Sequence, residues 1–261
     1  MPPDSKLPDK TVKISTGLIG LVVLLCLAIS LIGWLSWNVS GTDDSGAEET
    51  LAESSLLIES VNTSEESESD NIPVEFMLSV PFTSQAPFGD WGMPYQEACE
   101  EAAALVVHYF YQGDSFTPAI ADQEIKGLVS FENDYFGDYE DTTAEQTAEF
   151  IKEYWGYDRV EVIEDPTIDD IRAQIAAGRP VIVPCAGRQL GNPNFTLPGP
   201  LYHMIVVTGY DEEEFVTNDV GTRLGEGYRY QFDTIMKAMH DWNGGSVNSG
   251  AKRIIVVYPK D

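Results

Sequence analysis

From Gly17 to Trp37 the chain runs through twenty-one residues, GLIGLVVLLCLAISLIGWLSW, with no charge between Lys13 and Asp43. This run divides the molecule before any fold is considered, because its length matches a bilayer hydrocarbon core about 30 Å thick. A cleaved secretory signal has a shorter apolar stretch, about 7–15 residues, ending at a small-residue site. The expectation is therefore an uncleaved signal anchor over residues 14–38. Flanking Lys and Arg residues are retained on the cytoplasmic side. Lys6, Lys10 and Lys13 precede the run, and the next basic residue is Lys126. Residues 1–13 are expected to be cytoplasmic and everything after the span extracytoplasmic. Cys26 lies mid-span after Val-Leu-Leu and reads as a small apolar filler rather than a lipid-bearing cysteine.

The next segment, residues 39–72, is rich in Ser and holds ten acidic and no basic residues. Such a composition buries too little apolar surface to offset the entropy of ordering, so the sequence predicts an acidic, disordered stalk. What remains, residues 73–261, suffices for one domain of ordinary size. Of the net charge of −28, residues 1–38 contribute +1 and residues 39–72 contribute −10, leaving −19 on the domain. That excess excludes nucleic acid as a partner, since its binding is dominated by basic contacts to phosphate. It favours a basic or neutral substrate. Outside the span the only cysteines are Cys99 and Cys185, too few for a disulfide framework, although one bridge between them is an alternative to a reactive thiol.

Residues 94–113, PYQEACEEAAALVVHYFYQG, predict a helix with Pro94 near its start and Gly113 after its end. Further helices are expected over 117–128, from the Asp141 to Glu145 capping signal to about Trp155, after Thr167 up to Gly178, and over 232–242. Runs rich in β-branched and aromatic residues at 180–185, 202–210, 214–219 and 252–259 predict strands, with a turn at Asp211-Glu212 between the second and third. Helices first and antiparallel strands afterwards give an α+β domain.

Placed on these elements, four residues form a chemically coherent set. Cys99 falls near a helix N-terminus, which favours a thiolate over the ordinary thiol with a pKa of about 8.5. Glu97, Glu100 and Glu101 oppose that ionisation, although helical spacing directs Glu100 and Glu101 away from the thiol. His203 begins a strand, and the hairpin return carries Asn218-Asp219 to the same end, within reach of the ring. Asp219 is the expected orienting carboxylate and Asn218 the alternative. An acyl-transfer nucleophile also needs oxyanion donors. The Cys99 amide and the Gln85 side chain fit, with Gln96 as the alternative to Gln85. His108 lies on the far side of the Cys99 helix, and His240 is the weaker candidate for the base.

The segments VPFTSQAPFGDW, QEACEEAA, GRPVIVP, HMIVVTGYD and VTND resemble the bacteriocin-processing (double-glycine) peptidase-like branch of the papain-like cysteine peptidases. The resemblance spans essentially residues 73–259. It implies a papain-like α+β fold with the Cys helix packed on an antiparallel sheet. It also implies Cys99 as nucleophile, His203 as base, Asp219 as orienting acid and Gln85 as oxyanion donor, with no metal or organic cofactor. Transporter-linked members have Gln only a few residues before Cys and Gly after it. Here the spacing is fourteen and Glu100 follows.

The expectation is thus a membrane-anchored, outward-facing cysteine peptidase acting on peptides or proteins. A catalytically silent domain that binds peptides or a surface partner is the alternative from another class, and a thiol transpeptidase or amidase would share the same acyl-enzyme. The acidic stretch Glu132 to Asp141 does not match a calcium loop and reads as a solvated patch. Trp91, Tyr95, Tyr135 and Phe136 are read as core rather than cleft.

Overall fold

The computed structural model describes residues 72–260. The expected anchor, and the expected stalk up to residue 71, lie outside the described residues. Among these, no helix is long and apolar enough to cross a membrane. Chain order gives β1 Phe76–Met77, a 3-10 turn Tyr95–Glu97, α1 Cys99–Gln112, α2 Pro118–Tyr135, α3 Ala144–Trp155, β2 Val160–Glu164 and α4 Ile168–Ala176. Then follow β3 Val181–Cys185, α5 Gly187–Leu190, β4 His203–Tyr210, β5 Glu214–Asn218, β6 Tyr228–Gln231, α6 Phe232–Ala238, a 3-10 turn Val247–Ser249 and β7 Arg253–Val257.

Local chemistry sets the helix ends. Thr117 accepts from the Ile120 N–H with Pro118 in the first turn. Thr143 with Gln146, and Thr167 with Asp170, close reciprocal capping boxes, each contributing about 1 kcal/mol. Gly113 and Gly156 end α1 and α3 in the left-handed conformation that glycine adopts without a Cβ penalty. The expected Cys helix starts later than its pattern suggested. Ala98, at φ −100° and ψ 35°, separates the Tyr95–Glu97 turn from α1, so Cys99 becomes the first helical residue.

Every strand pairing in the seven-stranded sheet is antiparallel. The order is β2-β7-β3-β4-β5-β6, and β1 pairs with the end of β4 that β3 does not reach. All eight residues of β4 are buried, because both faces of the sheet are covered. Met204, Val206, Ile182 and Ile255 face one core with α1, α2 and α3. Ile205, Val207, Val183 and Val256 face the other with Ile171 and Ile175 of α4 and Ile235 and Ala238 of α6. Neighbouring strand residues thus alternate between two cores, as the period of two requires. The result is an α+β domain with its Cys-bearing helix against the central antiparallel strand.

The expected second helix runs on to Tyr135, and the helix from Phe232 stops at Ala238 rather than Trp242. The strand-like run that opens the domain at Phe76 forms β1, whereas strands β2 and β6 were not foreseen.

Candidate active site

Helical side chains lean toward the N-terminus, and at the first turn that direction is open. Cys99 and Glu100 therefore meet there, with the thiol donating to Glu100 Oε2 at 3.0 Å. The expectation that Glu100 points away is corrected by this contact. Both residues are buried. Burial pushes the thiol well above its ordinary range and the Glu100 charge and hydrogen bond add to it, while the Met204 backbone N–H acts in the opposite sense. Glu100 is itself pushed well up by burial and by Glu101. The Cys99 amide, at the head of α1, has no partner within the helix.

His203 is the first residue of β4, opposite Cys185 in β3. The β4–β5 register shifts between Val207 and Gly209, and Asp219 follows the last residue of β5. His203 Nε2 donates to Asp219 Oδ1 at 2.8 Å, with both side chains at most 1 % exposed. Three further donors converge on this carboxylate: Tyr230 Oη at 2.6 Å and Asn192 Nδ2 at 2.9 Å on Oδ2, and the Gly221 N–H at 3.1 Å on Oδ1. Burial alone would raise the Asp219 pKa, but the His203 charge and the bonds from His203, Tyr230 and Asn192 hold it below the usual carboxylate value. With Nε2 engaged, Nδ1 is the nitrogen left for proton exchange. No hydrogen bond joins Cys99 to His203 among the described residues.

The ring is boxed in. Phe195 meets it edge-on at 5.4 Å between centroids. A Cβ at Gly221 would lie 2.7 Å from His203 Cε1, and one at Gly225 only 1.8 Å from the Asp219 carbonyl oxygen. Asn218 points elsewhere, donating to the carbonyls of Val80 and Pro81, as adjacent residues in a strand must.

Gln85 is buried beside the turn that enters α1. Its amide Nε2 donates to the carbonyls of Tyr95, at 2.8 Å, and Gln96, at 3.0 Å. Gln85 therefore fastens the segment leading to the nucleophile, and donation to an oxyanion would require it to release one of these carbonyls. Gln96 is exposed and donates to Glu97 Oε1.

Cys99, His203, Gln85 and Gln96 open onto one cavity of about 710 Å³. Glu97, Glu100, Asp141, Trp91 and Phe195 also line it, so Trp91 belongs to the cleft and not to the core. The acidic stretch is not uniformly solvated, since Glu132 is fully buried and Asp141 half-buried. Burial, then Glu97, Glu140 and Asp138, raise the Asp141 pKa to about 6.

Cys185 is a free, buried thiol in the core on the other face from α1, and Cys99 is free as well. His108 stacks on Trp155 at 4.3 Å and bonds Tyr157. His240 bonds the Gly250 carbonyl. Neither lines the cavity. Sequence reasoning missed Tyr230 and Asn192. Their signals were faint: one tyrosine in an alternating YRYQ run, and one asparagine in a GNPNF loop with nothing to tie it to residue 219.

No curated protein matches the sequence. Among solved structures, a protein described as a C39-like peptidase from Bacillus anthracis aligns with a TM-score of 0.48 and 15% identity, covering 72% of this chain and 98% of that one. Xylellain, a cysteine protease from Xylella fastidiosa, aligns with a TM-score of 0.40 and 16% identity, covering 76% and 90%. At these scores neither bears on the site. The sequence from Met77 to Ser246, however, matches the family described as Peptidase_C39 like. That match takes in the helix that begins at Cys99, the strand that begins at His203 and the Asp219 turn beyond it. Covering well over half of the 261 residues, it shows that the chain belongs to the Peptidase_C39 like family.

Proposed function

We propose that this protein is a membrane-anchored, extracytoplasmic cysteine peptidase that cleaves peptide bonds through an acyl-enzyme on Cys99. The observation that carries this reading is the convergence on one cavity of a helix-terminal cysteine and a histidine whose Nε2 is fixed by a buried carboxylate. His203 Nδ1 takes the thiol proton and the thiolate sulfur attacks the peptide carbonyl carbon. The Cys99 amide, and Gln85 once one of its carbonyls is released, receive the developing oxyanion. Protonated His203 then gives its proton to the leaving amine as the C–N bond breaks. Water, deprotonated by His203, splits the thioester and restores the thiol. Asp219 keeps the ring in the tautomer that leaves Nδ1 free, and it stabilises the imidazolium.

A peptide-binding domain without turnover is favoured by a single observation: the thiol is bonded to Glu100 and burial holds it protonated. Incubating the full chain in detergent with an unstructured peptide mixture, and reading new termini by mass spectrometry, separates the two. New termini that vanish in Cys99→Ala and His203→Ala, with folding retained by circular dichroism, are the expected result. Termini that persist in Cys99→Ala, or peptides that bind but stay intact, would place the protein in the binding class.

A further inference from the structure

Three carboxylates, Glu97, Glu100 and Asp141, stand together in the cavity beside the nucleophile. They come from separate segments: the turn entering α1, the first turn of α1, and the loop before α3. We propose that this group is a subsite for a cationic side chain, Lys or Arg, next to the scissile bond of the substrate, an inference that rests on the peptidase reading.

The first support is an unmet bond. Glu100 is 1 % exposed, and its Oε2 accepts from the Cys99 thiol, but its buried Oε1 has no partner. A buried carboxylate oxygen without a donor is rare in folded proteins, and this one belongs to a residue of the cavity wall.

The second support is the lack of any counter-ion. Eight other acidic residues of the domain do have a cation or His203 beside them, among them Asp122 with Lys126, Glu161 with Arg159, Asp169 with Arg172, and Asp241 and Glu164 with Arg253. Glu97, Glu100 and Asp141 are in none of the ion pairs among the described residues. The two arginines that line the cavity do not serve them. Arg188 donates to the Gly199 carbonyl, and Arg223 forms no ion pair among the described residues. Burial and then Glu101 raise the Glu100 pKa, with Asp141 a smaller cause, and burial and then Glu97 raise that of Asp141, as carboxyls near one another without a cation do.

The chemistry of the occupant follows. No group of His, Cys, Asp or Glu among the described residues is arranged to hold a metal ion, so the cation is an organic one, bound by hydrogen bonds and charge. Ammonium and guanidinium are all-donor groups that match acceptor-only carboxylates. The domain's net charge of −19 adds long-range attraction for such substrates.

Glu100 gives this subsite a second consequence. Its Oε2 accepts from the Cys99 thiol, and charge on Glu100 opposes the thiolate. A cation bound there neutralises that charge, so the residue that is recognised also eases ionisation of the nucleophile. The preference is therefore expected in kcat as well as in KM.

The test uses the full chain in detergent and peptides identical except for Lys, norleucine or Glu at each position flanking the scissile bond. Expected is a rate for Lys at least tenfold above norleucine at one position. That ratio should shrink in Asp141→Asn and shift toward the Glu peptide in Asp141→Lys. Equal rates for Lys and norleucine, with cleavage intact, would overturn the subsite and leave the peptidase reading standing. If no peptide is cleaved, the peptidase reading fails. The subsite is then judged by fluorescence anisotropy of the same peptides on the Cys99→Ser chain: tighter binding of Lys than norleucine keeps it, and equal binding removes it.

Discussion

At the scale of single residues, two adjacent side chains decide how this site starts. A helix N-terminus and a nearby imidazole ordinarily favour a thiolate, but here Glu100 accepts the hydrogen bond of the Cys99 thiol, at 3.0 Å in a buried setting. Burial is the larger cause of the raised thiol pKa and the Glu100 charge the next. Removing the charge alone should therefore lower the thiol's pKa without restoring the ordinary value. In Glu100→Gln the midpoint of Cys99 alkylation against pH, read by peptide mass spectrometry, is expected to move down by about one unit or more. An unchanged midpoint would mean that Glu100 does not restrain the thiol. The contact itself was illegible in the sequence. Helical periodicity separates residues 99 and 100 by direction, yet that separation fails in the first turn, where no earlier turn fills the space toward which both side chains lean.

At the scale of elements, α1 and α2 are joined by an unusual pair. Glu101 and Glu132 are both 0 % exposed and face each other, and none of their four carboxyl oxygens has a hydrogen-bond partner. Burial, followed by the opposing carboxyl, raises Glu101. Burial, followed by Glu100, raises Glu132. A carboxyl raised in the folded state stabilises below its unfolded value, about 4.3, and that contribution is lost as pH climbs toward the folded value, about 9 for Glu132. Wild-type stability should fall between those limits. Glu132→Gln keeps the volume and offers an N–H to Glu101, so urea unfolding should show a flatter pH profile and about 1–3 kcal/mol more stability at pH 8. A steeper profile, or a loss at pH 8, would show that the two buried, facing carboxyls are not the cost. The sequence marked Glu132 as part of a solvated patch because polarity was all it could display; burial came from where α2 docks. Local signals did better where local chemistry rules. Thr143, Thr167, Gly113 and Gly156 lie at real helix ends, and the β-branched runs became β3, β4, β5 and β7. Strand β6 was missed because YRYQ exposes alternate residues at a sheet edge. The hairpin argument reached Asp219 beside His203 without foreseeing the β-bulge that sets the register.

At the scale of the whole chain, the apolar run and the charge distribution make a claim separate from the chemistry. Three lysines lie before Gly17 and none between that run and Lys126, while the domain carries −19. The charge rule for orientation counts the basic residues flanking a span and gives little weight to acidic ones, so the proposed topology rests on Lys6, Lys10 and Lys13 alone. A membrane-impermeant amine reagent tests it residue by residue. On intact cells it should modify exposed domain lysines such as Lys126, which is 55% exposed at the side chain, and spare Lys6, Lys10 and Lys13 until the membrane is opened. The chain should also stay with the membrane pellet through an alkaline carbonate wash, as a spanning helix does. Labelling of the three N-terminal lysines with the domain protected would invert the topology and put the cleft in contact with cytosolic peptides. Release by carbonate would remove the anchor. Either result would leave the geometry of Cys99, His203 and Asp219 untouched, because the fold that brings them together lies wholly within residues 72–260.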